Sequence, residues 1–259
     1  MTLFDAIWIS ASVILGYMTI LFVLAVILKN NSIADIAWGP GFIAVAFVLL
    51  FISGEYATRQ IIVSILIAIW GLRLGTRILL RNWGNSEDFR YKKWREEWGN
   101  RFLLRSYLQV FLLQGFLLLL IIFPVFLISA YGQKPLFWLD IIGILIWLLG
   151  FFFESVGDYQ LDKFIKNSTN RGKILDSGLW GYTRHPNYFG EVTQWWGVFI
   201  IGLGLSYGWL GIIGPLTITF LILKISGIPM LEKAMSKNPA FQPYKQKTSV
   251  FIPWFSKKA

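Results

Sequence analysis

The feature that most constrains this chain is a series of long apolar runs, each close to the roughly 20 residues that a helix needs to cross a bilayer. Hydrocarbon offers the backbone no hydrogen-bonding partner, and these runs are continuous rather than alternating. We therefore predict helices and not the strands of a barrel. The predicted fold class is all-α, a polytopic membrane helical bundle of about seven transmembrane helices. The spans lie roughly at residues 6–28, 34–53, 60–80, 106–129, 136–157, 187–206 and 208–227.

The chain is expected to form a single domain. Its first run is too long, and too lightly charged at its start, for a signal peptide, so we predict that the run is retained. No internal repeat or low-complexity linker interrupts the sequence. One integral membrane domain over residues 1–259 is the simplest organisation, with the aromatic, proline-containing C-terminal tail packed back on the bundle.

The basic residues predict the orientation of the bundle. There are 24 Lys and Arg against 14 Asp and Glu, and most of the basic residues lie in residues 81–105, 158–185 and 228–258. With seven spans these segments share one face, which the positive-inside rule assigns to the cytoplasm. We expect the N-terminus outside and the C-terminus inside, in a bacterial inner membrane. The mixture of acids and bases at the membrane edges favours membrane lipid over nucleic acid as a partner.

Charged residues in apolar runs are costly to bury, so they are the first candidates for a functional site. In "IWGLRLGTRILLRNWG", Arg73, Arg77 and Arg81 recur every four residues and form one stripe on a helix. Arg73 lies about two turns deeper than Arg81, farther than snorkelling readily explains, so we predict that the stripe binds a phosphate or carboxylate. For Arg81 a membrane boundary is an equal explanation.

Three acids add to these candidates. Glu154 and Asp158, in "FFFESVGDYQLDKF", are one helical turn apart at the inner end of the fifth span. Two neighbouring carboxylates need donors or cations nearby, such as the arginines, a ribose or a substrate amine. Asp35, among apolar residues in "NNSIADIAWGPGF", is either a buried functional acid or the cap of a helix start.

The densest polar stretch is "LWGYTRHPNYFGE" at residues 179–191, which contains the only histidine. Proline fits the first turn of a helix, so we predict a helix that begins at about Pro186. Its free N–H groups and positive dipole end suit a phosphate. Asn187, Glu191 and Gln194 follow at spacings of four and three and so lie on one side. We predict that Arg184, just before the helix, faces the phosphates together with the helix start. The remaining candidates in the stretch are Tyr182, His185 and Tyr188.

The motif "GLWGYTRHPNYFGE" resembles the C-terminal signature of the steroid 5-alpha-reductase family, and most closely its bacterial branch. The segments "SIADIAWGPGF", "LRLGTRILLRNWGNSEDFRY", "FESVGDYQLDKF" and the closing "VFIPWF" resemble the same branch. The first motif is also similar to one in sterol C14 and delta-7 reductases. The resemblance implies a helical membrane bundle that binds NADPH in a cytoplasm-facing cavity.

The resemblance also implies roles for individual residues. Asp158, Asn187 and Glu191 match positions that line the cofactor site, and Arg73 and Arg81 match phosphate-binding arginines. Asp35 falls near an acid that polarises the substrate ketone, and Glu191 and Tyr188 are further catalytic candidates. Trp70, Gly71 and Leu72 stand where the steroid enzymes carry a tyrosine, so a 3-oxo-steroid is not implied. The other cofactor-binding candidates are Arg77, Glu154, Tyr182, Arg184 and His185.

Two enzyme hypotheses follow. The first is an NADPH-dependent reductase of a carbon–carbon double bond in a lipophilic substrate that is steroid-, isoprenoid- or lipid-like. The cofactor carries the hydride, which suits a chain without cysteine and with no expected metal site. The second is an S-adenosylmethionine-dependent methyltransferase of the isoprenylcysteine or phospholipid type, because such enzymes share an "RHP.Y.G" element and later glutamates. Glu232 is a candidate for such a glutamate. A transporter would be indicated by inverted repeats, and none is found.

Overall fold

The computed structural model describes residues 1–256, and within this range the regular structure is helical. An isolated parallel bridge between Thr183 and Ser249 is the one β-type pairing found there. Short 3₁₀ or π turns join several of the helices. The α-helices are α1 (Leu3–Leu28), α2 (Ile33–Ile36), α3 (Trp38–Ser53), α4 (Thr58–Asn82), α5 (Phe89–Trp98), α6 (Phe102–Ser106), α7 (Leu113–Ile121), α8 (Phe123–Tyr131), α9 (Trp138–Lys166), α10 (Pro186–Leu203), α11 (Ile213–Phe220), α12 (Ile228–Met235) and α13 (Phe241–Lys247).

The predicted fold class, an all-α membrane bundle, is confirmed. Among the described residues, five helical segments are long and apolar enough to cross a bilayer. Two of the seven predicted spans are not among them, because α3 has only 16 residues and the 18-residue α10 is too polar. The five segments are Leu3–Leu28, Thr58–Asn82, Phe89–Ile121, Trp138–Lys166 and Gly208–Met235.

Two predicted spans are interrupted rather than continuous. The run at 34–53 breaks at Ala37, between α2 and α3. The run at 106–129 contains a π turn at Tyr107–Leu112 and ends its first part at Ile122. Pro124 then occupies the first turn of α8, where its missing N–H is harmless but where it cannot continue the preceding helix.

The residues group into two compact units by their contacts. The first comprises Met1–Phe137 and Gly202–Ile213, and the second comprises Trp138–Ile201 and the residues from Gly214 onward. The prediction of a single domain is not tested by this grouping and stays a prediction.

In the first unit, α3 and α4 approach each other at glycines. A Cβ on Gly71 would lie 2.8 Å from the Gly39 carbonyl oxygen, so only glycine fits there. Arg59 begins α4 and is buried, and its guanidinium donates to the carbonyls of Gly132, Lys134 and Pro135 at 2.9–3.1 Å. The side chain is therefore a tie between α4 and the loop after α8.

In the second unit, glycines bring α9 and α10 into backbone contact. Gly143, Gly150 and Gly157 recur every seven residues along α9. A Cβ on Gly150 would lie 2.6 Å from the Gly190 carbonyl oxygen, and one on Gly143 would lie 2.7 Å from that of Gly197. This close approach places the inner parts of both helices within side-chain hydrogen-bonding distance.

Candidate functional site

Two amide–carboxylate pairs lie where α9 and α10 meet. Gln194 Nε2 donates to Glu154 Oε2 at 2.6 Å, and Asn187 Nδ2 donates to Asp158 Oδ1 at 3.1 Å. Glu154, Asp158 and Gln194 are buried, while Asn187 is half-buried. We call these four residues the amide–carboxylate cluster. The structure thus brings together three residues that the sequence predicts for a cofactor site. It adds Gln194, which the sequence places on the same side of the helix as Asn187.

Each amide of the cluster has an oxygen that is buried and has no hydrogen-bond partner, Asn187 Oδ1 and Gln194 Oε1. The cause is geometric, because each carboxyl oxygen accepts from the NH₂ group of its amide, so the amide oxygen points away from it. Buried polar atoms of folded proteins are otherwise almost always paired. The two oxygens are acceptors available to N–H or O–H donors of a ligand. A nicotinamide carboxamide and a ribose hydroxyl are such donors, so the residues present fit a dinucleotide.

The other predicted residues of α10 lie near its start. Glu191 is one turn after Asn187 and is half-buried, as is Tyr188. The Tyr188 ring stacks on the His185 ring, with centroids 5.7 Å apart. Tyr182 precedes the helix, is 46% exposed, and accepts a backbone hydrogen bond from Trp254 at 3.0 Å. The catalytic and cofactor roles of these residues stay predictions.

The predicted helix start at Pro186 is confirmed, but the guanidinium before it is engaged by protein groups. Arg184 is 5% exposed, and its Nε and Nη2 lie 2.8 and 2.7 Å from Glu232 Oε1. Its Nη1 donates to the carbonyls of Lys245 and Thr248 at 3.0 and 2.6 Å. These bonds tie α10 to α12 and to the C-terminal tail. The phosphate contact predicted for Arg184 would require some of them to be exchanged.

His185 is buried against the same carboxylate. Its Nε2 lies 3.4 Å from Glu232 Oε1, and the side chain is 1% exposed. Burial lowers the pKa of His185 to about 4, because the loss of hydration of the imidazolium outweighs the attraction of Glu232. At neutral pH the ring is uncharged. It shapes the turn into α10 and adds no positive charge for a phosphate.

The C-terminal tail packs back on the bundle, as predicted, and does so on the turn before α10. Arg184 N–H donates to Ser249, and Thr183 Oγ1 donates to the carbonyl of Phe251 at 2.8 Å. Tyr244 donates its hydroxyl hydrogen to the Trp180 carbonyl at 2.7 Å. The tail therefore fixes the backbone that leads into the cluster.

The predicted arginine stripe lies on α4, in the first unit. Arg73 and Arg77 are half-buried, with Arg73 Nη1 and Arg77 Nε buried, and Arg81 is exposed. Phosphate binding by the stripe stays a prediction.

Asp35 does not cap a helix but joins a partly buried polar group in the first unit. Tyr91 donates its hydroxyl hydrogen to Asp35 Oδ1, and Arg90 Nη2 donates to Oδ2, both at 2.8 Å. Tyr91 is 2% exposed. Arg90 and Tyr91 are absent from the sequence-based candidates because they lie in a charged segment outside the apolar runs. The signal was at hand, since the motif "LRLGTRILLRNWGNSEDFRY" ends on Tyr91.

Comparisons with known proteins agree with parts of this picture. The profile of one family, described as "protein of unknown function (DUF1295)", matches residues 21–248. An uncharacterised protein of Schizosaccharomyces pombe is 25% identical over 281 residues, which cover 93% of this chain and 77% of that protein. The steroid 5-alpha-reductase DET2 of Gossypium hirsutum is 30% identical over 82 residues, which cover 31% of this chain and 30% of the reductase. No solved structure matches significantly.

Proposed function

The chain belongs to the DUF1295 family, and we propose that it is an integral membrane oxidoreductase that uses NADPH to reduce a carbon–carbon double bond in a lipophilic substrate. The similarity to a plant steroid 5-alpha-reductase over 82 residues supports the reaction class. The observation that carries the cofactor assignment is the pair of buried amide oxygens in the amide–carboxylate cluster. We further propose a bacterial inner membrane, with the C-terminus in the cytoplasm where NADPH is available.

In this proposal the amide–carboxylate cluster holds the nicotinamide end of the cofactor. Asn187 and Gln194 would accept hydrogen bonds from donors of the carboxamide and ribose, while Asp158 and Glu154 fix the amide orientations. Arg73 and Arg77 stay the proposed phosphate-binding residues. NADPH supplies a hydride when it is bound. The buried hydrogen bonds of the cluster would keep its amides in one orientation toward the bound group.

The second half of the reaction needs a group that polarises the acceptor and supplies a proton. Tyr91 and Asp35 have the chemistry for this. The one hydroxyl hydrogen of Tyr91 is donated to Asp35 Oδ1 at 2.8 Å, so the phenol would polarise a substrate oxygen by exchanging that bond for one to the substrate. Arg90 holds the other carboxyl oxygen in place. Tyr91 therefore joins Asp35 as a proposed catalytic residue, alongside the earlier candidates Glu191 and Tyr188.

The methyltransferase alternative has one observation in its favour, the approach of His185 to Glu232 at 3.4 Å. That carboxylate is already bound by the buried Arg184, and Lys245 lies 3.4 Å from its second oxygen. The relative of named activity is a reductase. The reductase is therefore the preferred function.

The cofactor assignment is tested by calorimetric titration of the purified protein with NADPH. Gln194→Met keeps the length of the side chain and removes the amide oxygen. It should weaken NADPH binding by about 1–3 kcal/mol, the value of a buried hydrogen bond. The matched control is Gln60→Met, because Gln60 is also 2% exposed but lies in the first unit and donates to Ser129. The control should lose stability and keep NADPH affinity.

Equal NADPH affinity in parent and Gln194→Met would remove the cluster from the cofactor site. Binding of S-adenosylmethionine without binding of NADPH would favour the methyltransferase instead.

A further inference from the structure

An apolar groove on the first unit lies between the last turns of α1 and the start of α6. Its volume is about 370 Å³, and its lining exposes no polar surface. The hydroxyl of the lining residue Tyr107 is paired with Thr19 Oγ1 at 3.0 Å and does not disturb this apolar character. The walls are formed by Phe22, Val23, Val26, Ile27, Leu103 and Leu104.

Both walls of the groove end in cations. Lys29 follows the α1 wall directly and is exposed, and Arg101 and Arg105 bracket the two leucines of the opposite wall. Asn31 Nδ2 donates to Ser106 Oγ at 2.6 Å, and this buried bond holds the loop after Lys29 against the helix that carries Arg105. The cations of both walls are thereby held at one end of the groove.

The acids of neighbouring segments are largely committed to other cations. Glu87 pairs with Arg95 at 2.8 Å, and Asp88 pairs with Arg90 at 2.9 Å. Within residues 1–256, Lys29, Arg101 and Arg105 form no ion pair, although Arg105 lies 5.9 Å from the centre of the Trp98 ring. The exposed Glu97 is 3.6 Å from Lys93, and Glu96 is exposed on α5. These three cations, which form the rim of the groove, therefore keep a net positive charge.

We propose that this groove is a binding site for an anionic glycerophospholipid of the surrounding membrane. An acyl chain occupies the apolar groove, and the phosphate of the headgroup lies among Lys29, Arg101 and Arg105. A zwitterionic lipid of the same chain length gains the apolar contact but less from the rim, because its own cation opposes the three of the protein. The site is distinct from the amide–carboxylate cluster and does not depend on the reductase assignment.

The test is native mass spectrometry of the detergent-purified protein with phosphatidylglycerol and phosphatidylcholine of identical acyl chains. The parent should retain phosphatidylglycerol preferentially. Each cation near an anionic lipid contributes about a fivefold gain in affinity, so Arg101→Gln with Arg105→Gln should weaken phosphatidylglycerol binding by roughly 25-fold and leave phosphatidylcholine nearly unchanged. Val26→Trp, which fills the groove, should weaken both lipids.

The matched control is Lys166→Gln with Arg171→Gln, which removes the same charge from exposed positions in the second unit and should bind like the parent. Equal retention of both lipids by the parent, or unchanged binding by the double arginine variant, would overturn the proposal. So would a change of oligomeric state in Val26→Trp without loss of lipid, because the groove would then hold a second copy of the chain.

Discussion

The close approach of α9 and α10 is the structural condition for the amide–carboxylate cluster, and Gly150→Ala tests it. The new Cβ would lie 2.6 Å from the Gly190 carbonyl oxygen, 2.7 Å from Gln194 N and 2.8 Å from Gln194 Cγ. Two of these atoms belong to the backbone and cannot rotate away. Ordinary contact begins at 3.4 Å, so the helices must separate locally by about 0.8 Å.

That displacement has a calculable effect on the cluster. The bond from Gln194 Nε2 to Glu154 Oε2, now 2.6 Å, would lengthen beyond the usual limit of about 3.2 Å if the side chains followed the backbone. Overpacking costs about 1–3 kcal/mol, and weakening a buried bond to a charged group costs about 1.5–3 kcal/mol. Since such terms are not additive and alanine favours helix, we expect a net loss of about 2–4 kcal/mol.

Thermal unfolding in detergent and NADPH titration together measure the effect. The control is Gly16→Ala in α1, where an added Cβ meets nothing within 4 Å and should leave stability equal or slightly higher. If Gly150→Ala melted with the parent and bound NADPH equally, the proposed link between glycine packing and cofactor affinity would be refuted.

Four further outcomes are expected. Because the chain has a single histidine, NMR titration follows one imidazole signal and should show His185 neutral down to about pH 4. The unfolded chain binds a proton at this histidine below its pKa of about 6.5, so the free energy of unfolding should fall as the pH is lowered from 6.5 to 4. Arg184→Met removes the buried guanidinium and leaves the half-buried Glu232 with Lys245 as its remaining cationic partner, so it should lower stability by about 1.5–3 kcal/mol, whereas Lys245→Ala, at an exposed partner of the same acid, should cost less than about 1 kcal/mol. Tyr91→Phe should slow hydride transfer at least about a hundredfold with only about 1 kcal/mol of lost stability, and unchanged turnover would exclude it from catalysis. Reporter fusions after residues 56, 95, 170 and 255 should place only the first outside the cytoplasm, and a cytoplasmic signal at 56 would reverse the predicted topology.

The parts of the fold that the sequence predicts are those set by local patterns. Apolar length predicts membrane helices, and the proline at 186 predicts where α10 begins. The breaks at Ala37 and Ile122 are less visible, because apolar composition is the same on both sides of each break. The hydropathy of a segment indicates whether lipid or water surrounds it. It does not indicate whether the backbone hydrogen bonds of its helix are continuous.

In the candidate site, too, local features were predictable from the sequence and contacts between distant residues were not. The spacing of Asn187, Glu191 and Gln194 on one helix is a local property, and it correctly places two amides toward one neighbour. The choice of partners is not local, since Arg184 binds an acid 48 residues away and Tyr91 binds one 56 residues away. The predicted phosphate role of Arg184 came from its position at a helix start, and nothing in the local sequence reveals that Glu232 would reach it.

Transfer of isotope from the cofactor directly tests whether this protein reduces a lipid with NADPH. Lipids extracted from cells that lack this protein contain its unreduced substrate, and they are incubated with the purified protein and NADPH deuterated at the transferable position. The account predicts that one lipid gains one deuterium from the cofactor and one hydrogen from solvent, and that it is a lipid more abundant in the deficient cells. No deuterium in any lipid, or a methyl group gained when S-adenosylmethionine is supplied instead, would contradict the account.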